Sequence, residues 1–274
     1  MNTNYHTHSL YCDGKDPLPA YVKTAEALHF TQLGFSSHAY VPNTDFGISY
    51  ENLPRYCAEI DTLQKNTDIL LLKGLECDYI PGISTPFDQL RNDYGLDYII
   101  GGVHLVRPPH GDRLWFIDGR EVRIYDDGLK ELFGGNVKAA VTTFWEQTFK
   151  MLETEHLDII AHLDKIKMHN QNRYFTEDEK WYRDLAEKAV RLVHQHDVVM
   201  EINTRGIYKK RCDSFYPSTY ILKMARKYDI PVVVSTDAHK ADEIALLGDE
   251  ARLELKRCGF ENVVHYDVKK GKFV

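Results

Sequence analysis

Short apolar runs alternate with amphipathic segments along this chain, and an acid or an imidazole stands at the end of nearly every run. Strand-like runs read at 3–6, 34–37, 69–76, 97–103, 157–162, 198–203 and 230–236, with a weaker one at 262–267. ILLL, YII, DIIA, VVMEI and VVVS are rich in β-branched or aliphatic residues and bounded by polar turns, as strands covered on both faces are. Helical spacing fills the gaps. Trp181, Leu185, Ala189 and Leu192 recur within 177–196, and Ile221, Leu222, Ala225 and Tyr228 share a side of 217–228, where Pro217 suits a first turn. Gly34 and Gly259 each follow a helical stretch and precede a strand-like run, the place of a C-cap glycine. Strands alternating with helices imply a parallel sheet.

The polar residues at the strand ends narrow the architecture. They are His6, His8 and Asp13 in HTHSLYCDG, His38 in FSSH, Glu76 in GLECDY, His104 in GGVH, His162 in DIIAH, and Asp237 with His239 in STDAH. An open doubly wound sheet gathers its ligand site from a few strand ends near one switch point. A site fed by successive strand ends requires those ends to form a ring, so an α/β barrel is the better fit. At 274 residues, 43% hydrophobic and 27% charged, the chain suits a single domain over 1–274 with a full core. The stretch 107–136 is Gly- and Asp-rich without clear periodicity. It reads as an elaborated loop on the site face, either a lid or substrate loop or a plain insertion.

Imidazole and carboxylate bind borderline and hard divalent metals, and nine such groups exceed what one ion needs. Singly, each has an ordinary alternative: an isolated HxH is common, and a histidine in an apolar run is often a hydrogen-bonded core residue. His6 and His8, at i and i+2, point to one face of a strand and can chelate together. Glu76 ends a very apolar run, where a carboxylate without a partner is costly. Their joint occurrence at successive strand ends points to a multinuclear metal hydrolase. His110 and His169 lie in loops that could overhang the site; His29, His194, His196, His156 and His265 read as surface or packing residues. A net charge of −7 argues against nonspecific nucleic-acid binding, though bound metal ions can still attract a phosphorylated substrate. Five cysteines without CxxC spacing read as reduced thiols. No run approaches 18 apolar residues, and Met1 leads directly into a strand-like segment, so the expectation is a soluble, cytoplasmic enzyme with no membrane partner.

In this order the motifs resemble the polymerase and histidinol phosphatase (PHP) family of metal-dependent phosphoesterases. HTHSLYCDG, FSSH, GLECDY, GGVH, AHLD and STDAH match the family pattern from residue 6 to 239. GLECDYIPG, LDYIIGGVHLV and EINTRGIYKK are similar to the histidinol-phosphate phosphatase branch, whose members often have histidine where this chain has Asp13. The resemblance implies a distorted (β/α)7 barrel, TIM-like, holding three divalent metal ions: zinc, manganese or iron. It assigns His6, His8, Glu76 and Asp237 to one ion, a bridging Glu76 with His104 and His162 to a second, and Asp13, His38 and His239 to the third.

A phosphate monoester dianion repels hydroxide, and its uncatalysed hydrolysis is among the slowest reactions known. The expected chemistry is attack on phosphorus by a hydroxide bridging the first two ions, with Asp237 or His239 handling the leaving-group proton. Arg205 is the preferred phosphate fork and Lys209 the second choice, ahead of Arg107, Arg120, Arg123 and Arg173. Asp118, Tyr125 or Tyr216 could meet an ammonium or imidazole. The expected substrate is a small phosphorylated metabolite, L-histidinol phosphate in histidine biosynthesis. Alternatives are another phosphoester (a nucleotide, a sugar phosphate or a phosphotyrosine protein), a noncatalytic metal-binding regulatory module, and an amidohydrolase-type barrel.

Overall fold

The computed structural model describes residues 2–274. Four strands, β1 (Asn2–Asn4), β2 (Phe30–His38), β3 (Leu70–Asp78) and β4 (Tyr98–Gly102), lead into a short antiparallel hairpin, β5 (Leu105–Val106) with β6 (Trp115–Phe116). The main sheet resumes with β7 (Ile159–Ile160), β8 (Val199–Asn203) and β9 (Val232–Ser235). Its order is β1-β2-β3-β4-β7-β8-β9, with every neighbouring pair parallel. A bridge between Thr7 and Ala238 brings its two edges together just beyond the strand ends: His8 N–H donates to Ala238 O (2.8 Å) and Ala238 N–H to His6 O (3.1 Å). The sheet is thus a nearly closed seven-stranded barrel of TIM-like (β/α) type, and its seam sets His6 and His8 beside Asp237 and His239.

Period-2 alternation along each strand assigns the two sides. In β3, Leu71, Leu75 and Cys77 join the core between sheet and helices, whereas Leu72 joins the barrel-interior cluster and Glu76 continues that face towards the strand's end. The interior is filled by Tyr5, Leu72, Tyr98, Ile100, Ile159, Val199 and Val233, and Tyr266 closes it with Phe273 packed alongside. Helices pack outside, as in Lys180–Gln195, where Tyr182, Ala186, Ala189, Val190 and Val193 are buried on one stripe. No helix of the described residues is long and apolar enough to cross a membrane.

Several local readings of the sequence change. Gly34 lies inside β2, not at a helix end. Its missing side chain, like that of Gly74, makes room for the Tyr98 ring, whose hydroxyl donates to Tyr5 O at 2.6 Å across the barrel. Gly259, at φ +94°, does follow the helix Gly248–Arg257. Pro217 stands outside its helix, which begins at Thr219 after an extended Ser218. The run 262–267 adds no eighth barrel strand: its end, β10 (Tyr266–Asp267), forms a separate hairpin with β11 (Lys272–Phe273). Nor is 107–136 irregular. It contains β6 and the helix Val122–Phe133, whose Gly128 permits close packing on Trp115.

Candidate metal centre

Glu76 is the hub of the barrel mouth. Its Oε2 lies 3.1 Å from His6 Nε2, 3.3 Å from His8 Nε2 and 3.1 Å from His38 Nδ1. Its Oε1 lies 3.0 Å from His162 Nε2 and 3.4 Å from His104 Nε2. Asp237 Oδ1 stands 3.4 Å from both His8 Nε2 and His239 Nδ1, and 3.9 Å from His6 Nε2. Asp13 reaches over from the loop after β1: Oδ2 is 3.2 Å from His239 Nε2, and Oδ1 is 3.9 Å from His8 Nδ1 and from His38 Nε2. All nine candidate donors therefore meet in one place. Two of them, Asp237 (φ +54°) and His162 (φ +21°), hold backbone conformations that non-glycine residues seldom adopt. Such strain clusters at functional sites, where the surroundings fix it.

The donor set fits metal ions. His6 Nε2, His8 Nε2, His38 Nδ1 and Asp13 Oδ1 are buried yet make no hydrogen bond, although carboxylate or imidazole atoms lie close by. Three sets of donor atoms each converge within 4.8 Å: His6, His8 and Asp237; His8, Asp13, His38 and His239; and His38, Glu76 and His104. Burial of so many polar atoms without partners would be costly in a site that holds nothing. Titration behaviour reflects the same crowding. Burial opposes charge on His6, but Glu201, Glu76 and Asp237 outweigh it and lift the imidazole to about 10. Burial drives His38 down to about 3, and it drives His162 and His239 to about 4, helped by Lys165 and His8 respectively. Burial disfavours the charge of Glu76 too, yet His6, His38 and His104 hold its carboxyl well below the usual range.

A model of the PHP domain matches residues 4–205. The chain belongs to the PHP-domain family. A probable histidinol-phosphatase of Deinococcus radiodurans is 26% identical, the match covering 94% of each chain. The histidinol-phosphatase of Bacillus subtilis is 23% identical over 92% of this chain and 98% of its own. Among solved structures, histidinol phosphate phosphatase from Lactococcus lactis, complexed with zinc, L-histidinol and phosphate, superposes with a TM-score of 0.72. That likeness covers 100% of this chain and 98% of the other at 21% identity, and it supports the barrel fold.

Around the cluster this PHP domain has a cavity of about 710 Å³, within the range of small-molecule sites. Arg205, Lys209, Arg120 and Arg211 line it, giving the walls cations suited to a phosphoester. Arg205 is engaged already: one guanidinium nitrogen donates to Asp237 O (2.6 Å) and Tyr208 Oη (3.2 Å). Lys209 pairs with Glu243, which also accepts from His239 N–H at 3.0 Å. Arg107 turns to Pro81 O and Arg173 to Asp126, so neither shares the cavity wall. His169 Nε2–H donates to Gly119 O at 2.7 Å and holds that loop rather than facing the cavity.

Three residues of the site escaped the sequence reading or were left undecided in it. Lys165 is buried, with Nζ 3.4 Å from Asp118 Oδ2 and 3.7 Å from Asp237 Oδ2. Asp118, carried in by the segment after β6, lies 4.0 Å from His104 Nε2. Glu201 is fully buried and 2.6 Å from His6 Nδ1. A signal for Glu201 was present: an acid inside VVMEI raises the same burial problem as Glu76 in its strand.

Proposed function

We propose that this protein hydrolyses L-histidinol phosphate to L-histidinol and phosphate, a step of histidine biosynthesis, at a centre of three divalent metal ions. The observation that carries the reading is the convergence on Glu76, whose two oxygens each face a different group of imidazoles. His6, His8, Asp13, His38, Glu76, His104, His162, Asp237 and His239 would hold the ions, with zinc, manganese or iron all compatible with nitrogen and oxygen donors. Bound there, divalent ions would lower the pKa of water towards neutrality and neutralise phosphoryl oxygens. Zinc with L-histidinol and phosphate in the Lactococcus lactis protein supports both the metal class and the substrate.

The chain's own side chains do the rest. Arg205, with Lys209 beside it, presents cationic donors at the cavity wall for phosphoryl oxygens. Asp237 and His239, also on that wall, are the groups proposed to handle the proton of the leaving alcohol. Asp118 offers a carboxylate to the substrate ammonium, and Phe46 stacked on Phe116 (5.9 Å between centroids) offers an aromatic wall for imidazole. A steady-state panel of phosphate monoesters at fixed metal tests this. L-histidinol phosphate should lead in kcat/KM by at least about 100-fold, or about 2.7 kcal/mol. Turnover no faster than that of generic esters would reject the substrate assignment.

A further inference from the structure

Six of the seven barrel strands deliver candidate metal donors at or just beyond their C-terminal ends: β1, β2, β3, β4, β7 and β9. The exception is β8, whose inward residues Glu201 and Asn203 sit one layer below. Both are 0% exposed. Glu201 Oε2 lies 2.6 Å from His6 Nδ1, while Oε1 accepts from His162 N–H (3.2 Å) and from the Asn203 amide (2.7 Å). The same Asn203 amide donates to Asp237 Oδ2 at 3.3 Å, and Asn203 Oδ1 accepts from Arg205 N–H at 2.9 Å. One two-residue unit thus touches donors from three other strands and the backbone of the proposed phosphate fork.

We infer that β8 is the positioning strand of this centre, with Glu201 fixing which nitrogen of His6 faces the metal and Asn203 aiming Asp237. The inference rests on the proposed metal centre. Its chemistry follows from donor and acceptor counting. An ionised Glu201 has only acceptors, so His6 keeps a proton on Nδ1, and the nitrogen that would give up its proton to a metal is Nε2, on the Glu76 side. Carboxylate partners of this kind also raise the basicity of a metal-binding imidazole.

Glu201→Gln isolates the effect with almost no change in shape. Two N–H donors already occupy Oε1, so the glutamine oxygen stays there and its NH2 group faces His6 Nδ1. Nδ1 must then accept, which moves the proton to Nε2 and removes the lone pair the metal needs. Zinc titrated against a chromophoric chelator should show a loss of affinity of about 10–100-fold in this variant. The melting temperature of the metal-free variant should stay at that of the metal-free wild type, which separates positioning from folding. Zinc affinity equal to wild type would overturn the inference and leave the metal centre standing. A wild-type protein that takes up no zinc would overturn both. If the variant does not fold, 15N shifts of His6 in zinc-loaded wild type decide the point. Protonated Nδ1 with metal-bound Nε2 supports it, and the reverse tautomer overturns it.

Discussion

Glu76→Gln is the sharpest perturbation of the centre, because glutamine keeps the shape and one oxygen but replaces the other by NH2. One Glu76 oxygen faces His6, His8 and His38 at 3.1–3.3 Å, and the other faces His104 and His162 at 3.0–3.4 Å. Whichever way the amide turns, one group of imidazoles loses its shared ligand and gains a donor that cannot bind metal. Disturbing a group that merely orients a ligand costs about 10–100-fold in affinity, so loss of a direct ligand should cost at least 100-fold, or about 2.7 kcal/mol. Losing a single well-placed donor to a transition-state oxyanion costs about 100–1,000-fold in kcat. Removing an ion with full charge should therefore lower kcat/KM by about 1,000-fold or more, near 4 kcal/mol. Metal content by mass spectrometry after gel filtration, paired with phosphate release from L-histidinol phosphate, measures both. A variant with the wild-type metal count and activity within tenfold would refute the placement of Glu76 as a bridge.

Other outcomes follow from the same geometry. Arg205→Lys loses the planar fork and should raise KM for the phosphoester about 10–100-fold, whereas Lys209→Ala, whose ammonium is already paired with Glu243, should change kcat/KM by less than about tenfold; steady-state kinetics separates the two. Zinc loading at pH 7 should release protons, because His6, lifted to about 10 by Glu201, Glu76 and Asp237 against its burial, holds one that the metal must displace. Affinity then rises with pH up to that value, and calorimetry in buffers of different ionisation enthalpy should find about one proton or more released per chain loaded; no release would contradict this. Chelation should lower the melting temperature, since free metal at 1,000 times its Kd contributes about 4 kcal/mol to the folded state; calorimetry with and without chelator checks it. Gly74→Ala would drive a methyl group into the Tyr98 ring and should destabilise the barrel by about 1–3 kcal/mol in a urea titration.

Much of this was legible in the sequence because the barrel and the site share one pattern. Parallel strands end in ligands, so LLLKGLECDY and VVVSTDAH announced both a buried strand and its place in a ring. Period 2 then put Glu76 on the same side as Leu72, inside the barrel. Other features depend on partners remote in the chain. Lys165, which no motif of the sequence singles out, is buried by the approach of Asp118 and Tyr216. Gly34 looked like a helix stop because nothing nearby reveals that Tyr98, 64 positions later by 98 − 34, fills its space. The pairing of Lys209 with Glu243 arises only when the loops after β8 and β9 meet. Glu201 is different: it obeyed the rule used for Glu76, yet its partner is an imidazole nitrogen that faces away from the metal donors.

The central claim is that the cluster around Glu76 is a metal centre for phosphoester hydrolysis. Phosphate release from L-histidinol phosphate, followed as stripped protein is reloaded with zinc or manganese, tests it most directly. The account predicts negligible turnover without metal and a rise that saturates at between two and three ions per chain. Equal turnover with and without metal, or none at full loading, would contradict it.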